Sequence, residues 1–589
     1  MPSPRSDRLE DALNRIFEGG KTTRASWFAL TGGETLFAEG DTADTLYLLR
    51  SGRLGVFRRD HGEARPPQFV GVIRPGEPAG EMAMLAGTQH TADVVALRDS
   101  EVLALPRDAF FEAARTEPDL MVELSRLMIQ RARDRRSGGG EPSVFGFISA
   151  RPRPIRAFVE RIAAAIEAEG FTCQVIDQTA LTSAAEWFSR VEDAHDFVLY
   201  VAEMEEAAWA ALCARQVDRL FVVGNSLMAP PNRPMPHAGV LDAQRRTDLI
   251  LLREPHMARP ANTAVWLDSI QPGRWFQAVE GEKADTDRMA RVITGSAVGV
   301  VMSGGGARAY AHIGVLRALH EARVPIDFVG GSSMGAVIAA GPAMGWSQEE
   351  LEARIHKSFV ESDPLSDLAF PILAMTRAKK VDRLLLEAYG ETDLADLGRP
   401  FFAVSTNLTS GRIEVHRRGL MRRAMRASLA IPGLLPPIVI DGQVLVDGAV
   451  LKNLPTEVMR QMHSGPIIGV DMSEARGVDP DLIEHPPSIW QLIVTGAWRR
   501  GPPIVSILMR SATLTTDADI ESSRAATDLL IQPTPDRLDI RDWKGFDVGV
   551  AAGYLAASEA LARLDGPVTG LRRRHPGADI ATSPAVIEP

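Results

Sequence analysis

Three short stretches in the C-terminal half carry residues whose types and spacing fit nucleophilic chemistry. Gly331-Ser332-Ser333-Met334-Gly335 matches G-x-S-x-G and lies between the strand-like run IDFVG and the helix-like run AVIAA. A sharp strand-to-helix turn crowds the backbone so that only small flanking residues fit. It lifts the middle serine, Ser333, out of the sheet edge as an exposed nucleophile. Ser303-Gly304-Gly305-Gly306-Ala307-Arg308 follows the run AVGVVM and opens the helix-like stretch ARAYAHIGVLRALHEA. N–H groups bared by glycines at a helix start attract negative charge. Beside a serine nucleophile they would hold the oxyanion of an acyl-transfer intermediate. Asp447-Gly448-Ala449 ends the run VLV. A carboxylate at a strand's carboxyl end lies at the rim where ligands bind in an open parallel sheet, where it would take the serine proton.

Each stretch has a rival reading. Taken singly, G-x-S-x-G is a common small-residue turn and Asp-Gly an ordinary one. Gly304-x-Gly306-x-x-Ala309 also satisfies the dinucleotide fingerprint, which needs an acidic residue closing the next strand. The one candidate, Asp327, precedes the strand FVGG, and the serine turn follows it, so a dinucleotide site is not expected. A Ser-His-Asp triad would need a late histidine. His463 and His485 give the formal order, but neither has a recognisable setting, and both read as solvated surface residues. No H-E-x-x-H or clustered His/Asp/Glu set appears, so neither a metal nor another cofactor is expected.

These stretches need a scaffold, and the chain is long enough for several. Its 589 residues correspond to about four domains at roughly 150 each, with 45% hydrophobic and 24% charged residues, as in ordinary globular protein. The net charge of −11 argues against nucleic acid as a partner. Two cysteines, Cys173 and Cys213, fit a reducing compartment. No secretory signal is legible at the N-terminus. The uncharged run Phe328 to Gln348 contains Gly330, Gly331, Gly335, Gly341, Pro342 and Gly345, so it reads as strand, turn and buried helix, not as a membrane span.

The first punctuation is the Gly/Pro/Ser cluster from Arg136 to Ser143. Before it, TLFAEGD, TLYLLRSGRLGVFRRD, QFVGVIRPGE and DVVALRDSEVLALP read as short antiparallel strands, and Leu120, Leu124, Leu127 and Met128 share one helix face. From Ser143 to about Glu280, VFGFISA, FTCQVID, DFVLYVAE, RLFVVGNS and LILLRE alternate with helical stretches, the pattern of a parallel, helix-covered sheet. From about Thr294 to Leu564 the pattern repeats with AVGVVMS, IDFVGG, FFAVST, VLVDGA and PIIGVDM. The residues from Asp565 onward read as a loose tail.

The order glycine loop, G-x-S-x-G, D-G-A resembles the patatin-like phospholipases. In that family a Ser-Asp dyad without histidine cleaves acyl esters of lipids. The resemblance makes Ser333 the nucleophile, Asp447 the base, and Gly304, Gly305 and Gly306 the oxyanion loop, with Arg308 at the family's basic position in that loop. Ala309 stands where the family usually has glycine. Ser428-Leu-Ala-Ile-Pro-Gly-Leu-Leu-Pro-Pro437 is similar to the family's segment before the aspartate.

Residues 26–135 resemble a cyclic-nucleotide-binding domain through Gly40-Asp41, LYLLRSGRLGVF, Gly80-Glu81-Met-Ala-Met-Leu85 and Thr91-Ala92-Asp93-Val94. The resemblance makes Glu81, His90 and Thr91 the nucleotide-site residues, with Glu81 at the ribose-binding position. His90 stands where the family has an arginine that pairs with the cyclic phosphate. A neutral imidazole lacks the bidentate, permanently charged contact of a guanidinium. Its loss costs affinity on the order of ten- to a hundredfold. Cyclic AMP or GMP is therefore not expected as a ligand, and the roll is expected to pack or to regulate.

A roll, a βα segment and a patatin domain in this order resemble the neuropathy target esterase-like lysophospholipases. The expected fold is multidomain. A β-roll spans 12–135, a middle α/β segment 143–285, an α/β patatin-like domain with a mostly parallel sheet 294–564, and a tail 565–589. The middle segment lacks a Gly-rich phosphate loop after its first strand and reads as a spacer. The expected function is hydrolysis of (lyso)phospholipid acyl esters, with the roll as a regulatory module. The alternative is a catalytically idle lipid- or nucleotide-sensing scaffold. The expected location is the cytoplasm, with peripheral contact at the inner membrane surface. Two readings stand for the apolar stretch Ala427 to Ile440 and the five arginines from Arg417 to Arg426: that membrane contact, or a core segment with a solvated arginine helix beside it.

Overall fold

The computed structural model describes residues 25–572 other than 59–67, 117, 135–141, 184, 204–205, 233, 235–245, 256–259, 371, 474–483, 485–518, 536–537 and 539–541. Near the N-terminus a pair of long strands, Thr45–Arg58 and Asp93–Pro106, runs antiparallel and carries four shorter strands as a roll. Inward positions such as Leu46, Leu48, Leu54, Val102 and Leu105 are buried, as the half-buried strands of a closed roll require. The helix Asp119–Asp134 follows, with Leu120 and Leu124 against the same core, as its 3.6-residue spacing predicts.

The second sheet carries Arg219–Gly224, Val144–Ser149, Phe197–Ala202 and Cys173–Ile176 in that order, and Thr247–Arg253 and Arg274–Val279 are further strands. Val144–Ser149 and Phe197–Ala202 are buried at every position. Such continuous apolar runs mark central parallel strands covered on both faces, and their neighbours do pair in parallel. Arg274–Val279 was not among the expected strands, because its sequence RWFQAV mixes charge, amide and aromatics without a clean period.

The chain forms two units: one holds the chain up to Gly224 with Pro230–Ile250, the other Asn225–Ala229 with Leu251–Arg574. Within the first unit, buried charges tie the roll to the α/β layer. Arg53 pairs with Asp218, and Arg98 with Glu192, which also accepts from the Tyr200 hydroxyl at 3.2 Å. Burial pushes the Asp218 carboxyl up, but Arg53, Arg98 and the N–H groups of Ser143 and Val144 outweigh it and hold the group below its ordinary value.

The second unit is built on an eight-stranded sheet. Gly299–Met302 lies between Phe328–Ser332 and Ile467–Val470, parallel to both. Phe401–Asn407 and Leu529–Ile531 extend the parallel array on either side. Beyond Phe401–Asn407 the sheet turns antiparallel with Gln443–Asp447, Ile438–Ile440 and Arg412–His416. The helix Ser333–Met344 leaves the second parallel strand directly and is apolar all round, as a helix buried in the core should be.

Candidate active site

The serine turn is built by close approach. A Cβ on Gly331 would lie 2.4 Å from the Met302 carbonyl, and one on Gly335 would lie 2.3 Å from that of Ser303. Only glycine lets the turn press against the neighbouring strand end. Ser333 itself adopts φ +52°, a left-handed conformation that a side chain resists. Such strain costs about 1–3 kcal/mol and persists only where surrounding bonds enforce it. Here the Ser333 N–H donates to Ser428 Oγ at 2.8 Å, and that hydroxyl donates to the Val404 carbonyl at 2.7 Å.

Asp447 reaches the same point by a route the sequence did not suggest. Its strand runs antiparallel to its neighbour, so its carboxyl end does not share the direction of the parallel strands. Phe401–Asn407 continues past the level of Ser332, and Gln443–Asp447 pairs with that extension and runs back to Ser405. The Ser333 hydroxyl then donates to Asp447 Oδ2 at 2.6 Å. The other carboxylate oxygen accepts from the Ala449 N–H at 2.8 Å, and the Asp447 N–H donates to the Ala430 carbonyl at 2.9 Å. Serine and aspartate are 5% and 1% exposed. Burial pushes the Asp447 carboxyl up to about 7, against the opposing hydrogen bonds from Ser333 and Ala449. That value suits a general base near neutral pH.

The glycine loop is arranged differently from expectation. The Gly304 N–H is already spent on Asn453 Oδ1 at 2.9 Å. That leaves the N–H groups of Gly305 and Gly306 without an acceptor among the described residues, at the start of the short helix Gly306–Tyr310. Asn453 also donates to Ser473 Oγ at 2.8 Å, so its amide orientation is fixed. Arg308 is buried, and its backbone N–H donates to the Gly305 carbonyl at 3.2 Å. Neither Asn453 nor the bracing role of Ser428 was read from the sequence. The one signal was their place in the stretches flanking Asp447.

Each buried histidine of this unit is engaged elsewhere. His312 donates Nε2–H to the Ser303 carbonyl at 2.8 Å, its pKa pushed down to about 4 by burial. His416 shares a 2.7 Å hydrogen bond with Ser405 Oγ. His463, expected on the surface, is buried and stacked on Phe328 with ring centroids 4.7 Å apart. It lies beside Gly299, at the end of the parallel strands opposite Ser333, where its Nε2 edge occupies the space that a side chain at 299 would fill. His485 lies outside the described residues.

Of the two readings of the stretch Ala427 to Ile440, burial favours core for part of it, while Val439 is exposed. Ala427, Leu429, Ala430 and Leu435 are core, since the helix Met421–Ser428 turns its small and apolar face inward. Arg422 pairs with Glu391 and Arg426 with Asp382, each at 3.0 Å, while Arg423 donates to the Val439 carbonyl. In the roll, Glu81 and His90 are buried and Thr91 is exposed. The His90 ring stacks on Phe37 at 3.7 Å, and burial pushes its pKa down, so it is a neutral packing group.

Three family models match the chain: Patatin-like phospholipase over residues 300–460, Cyclic nucleotide-binding domain over 28–117, and Neuropathy Target Esterase family P-loop like domain over 157–277. An uncharacterized NTE family protein of Mycobacterium tuberculosis is 32% identical over 551 residues, covering 89% of this chain and 90% of that one. Patatin-like phospholipase domain-containing protein 6 of Homo sapiens is 29% identical, covering 81% of this chain and 39% of that protein. Protein 7 of the same name from Rattus norvegicus is 28% identical, covering 82% of this chain and 40% of that one. The chain thus spans about two-fifths of these mammalian relatives.

Asp447→Asn keeps shape and removes the carboxylate that accepts from the Ser333 hydroxyl, so ester turnover should fall at least about 10³-fold. In the wild type, turnover should rise with pH and level off above about 7. Between the unfolded value near 4 and that folded value, the folded chain holds a proton the unfolded chain has lost. The group's contribution to stability therefore declines as pH rises through this window. The asparagine variant should melt above wild type at pH ~8 by a few degrees, with the gap closing towards pH ~5. Turnover and thermal melts across this range check both halves.

Proposed function

The chain belongs to the NTE family, and from that premise we propose that it is a serine esterase cleaving acyl esters of phospholipids or lysophospholipids. The observation that carries this reading is the 2.6 Å bond from Ser333 Oγ to Asp447 Oδ2, at a strained turn beside two open N–H groups. Asp447 takes the hydroxyl proton as Oγ bonds to the ester carbonyl carbon. The carbonyl oxygen becomes the oxyanion and is held by the Gly305 and Gly306 N–H groups. Collapse breaks the ester C–O bond, and the protonated Asp447 returns its proton to the departing alcohol. Water, deprotonated by the same carboxylate, then attacks the acyl-serine and releases the fatty acid, restoring Ser333. No histidine is required, in keeping with the other bonds that His312, His416 and His463 make.

An apolar crevice lined by Val337, Ile355, Phe359, Val381, Leu385 and Leu429 supports an acyl substrate. Val337 lies one helical turn beyond Ser333, and Leu429 follows the serine that braces it. The roll supports a packing or regulatory reading over nucleotide sensing, because His90 is neutral and packed on Phe37.

A fluorophosphonate probe should label the wild type and leave Ser333→Ala unlabelled. An unlabelled wild type would establish the idle-scaffold reading instead. Val337→Phe should shift preference towards shorter acyl chains, with long-chain turnover reduced about tenfold and a short-chain ester little changed. An unchanged chain-length profile would remove the crevice from the substrate path. Cyclic AMP or GMP at millimolar concentration should leave the melting temperature unmoved, and a clear upward shift would restore nucleotide binding to the roll.

A further inference from the structure

Large apolar side chains at a protein surface are ordinary when scattered and informative when clustered. Phe370, Ile372 and Leu373 are 85%, 82% and 74% exposed, whereas the next most exposed large apolar side chain among the described residues, Leu555, reaches 60%. They sit at the apex of a hairpin-like loop. Its stem is closed by a bridge between Leu368 and Thr376, by the Ala369 N–H on the Met375 carbonyl at 2.8 Å, and by the Arg377 N–H on the Asp367 carbonyl at 2.9 Å. Phe370, Ile372 and Leu373 are therefore carried on a bonded stem.

The stem is joined to the candidate active site through the backbone. The Met375 N–H donates to the Gly433 carbonyl at 2.9 Å, and Thr376 Oγ1 donates to that of Leu434 at 2.8 Å. Gly433 and Leu434 belong to the segment that begins at Ser428, which braces Ser333, and passes Ala430, which receives the Asp447 N–H. At the base of the stem, Arg377 and Lys379 are exposed, and neither lies within ion-pair distance of a carboxylate among the described residues.

We propose that Phe370, Ile372 and Leu373 form an insertion tip that docks the enzyme on an anionic phospholipid surface, with Arg377 and Lys379 meeting the headgroups. The choice of lipid as the occupant rests on the esterase reading above. The exposed tip and its charged base stand without that reading. A narrow apex of large apolar groups above free cations matches a layered surface of acyl chains beneath anionic headgroups. Docking there would hold the segment behind Ser333 and Asp447 against the layer that contains the substrate.

The test uses the full chain carrying Ser333→Ala, co-sedimented with phosphatidylcholine vesicles with and without phosphatidylglycerol. The bound fraction should rise with phosphatidylglycerol and fall with salt. Combined Phe370→Ser, Ile372→Ser and Leu373→Ser should weaken binding at least about tenfold on both vesicle types. Arg377→Glu with Lys379→Glu should weaken it on anionic vesicles only. With Ser333 restored, both variants should hydrolyse a water-soluble short-chain ester within about twofold of wild type, which also reports that they fold. Vesicle binding unchanged by the serine substitutions, or absent from the unaltered tip, would overturn the proposal. So would a dimer that the serine substitutions dissolve without any vesicle binding, which would make the tip a contact between copies. A protein that is labelled by fluorophosphonate but binds no vesicle loses the docking alone. One that binds vesicles without being labelled loses the esterase reading alone.

Discussion

The hydrogen bond from Ser333 to Asp447 joins residues 114 apart in sequence, and most of the second unit's local geometry is needed to form it. The serine must leave a parallel strand through a left-handed turn, which requires glycines at 331 and 335 so that the turn can lie against Met302 and Ser303. The aspartate must arrive from a strand of opposite direction, which requires Phe401–Asn407 to run on past the rim of the parallel array. Ser428 and Ala430, two residues apart, then bond the backbone of the serine and of the aspartate respectively. The segment between the helix and the aspartate's strand thus works as a brace that ties the two halves of the pair to one another.

A buried carboxylate acting alone has to satisfy two demands that a triad divides between two residues. It must be anionic to accept a proton, yet basic enough to take one from a hydroxyl. Burial raises the Asp447 pKa, while the donors from Ser333 and Ala449 keep the charged form accessible, and the balance falls at about 7. The same burial makes the anion costly to the fold. Stability and basicity at this residue are therefore opposed, as is common where a polar group is withdrawn from water for chemistry. The three buried histidines do not relieve this opposition, since their ring nitrogens or ring faces serve Ser303, Ser405 and Phe328.

The sequence exposed what depends on local pattern. The strand runs, the serine turn and the Asp-Gly stretch were legible because small residues and apolar periods leave short-range signatures. What it hid depends on pairing across the chain. Nothing in GQVLVDG reveals that its strand is antiparallel. Likewise nothing in the triple glycine reveals that the first N–H is taken by an asparagine 149 residues on. His463 looked solvated because a lone histidine near a helix end usually is, whereas the gap beneath Gly299 made it a core residue. The arginine-rich run was open to two readings for a related reason: sequence does not show that a helix with small residues on one face buries that face while its cations find carboxylates from other elements.

The roll extends this argument to the first unit. Its Glu81 is buried, and the His90 imidazole lies in the aromatic packing with Phe37, which itself stacks on Tyr47. Permanent charge in this unit is placed elsewhere: Arg53 and Arg98 are buried against Asp218 and Glu192 of the adjoining α/β layer. Removing one partner of such a pair leaves a buried charge uncompensated, at a cost of about 3–5 kcal/mol. Motion that separates the roll from that layer would break both pairs together. A roll bound in this way is better suited to stabilising its neighbour than to swinging upon it. Any signal it carries would have to act through small shifts across those ion pairs, because a hinge between the two layers would have to break both pairs at once.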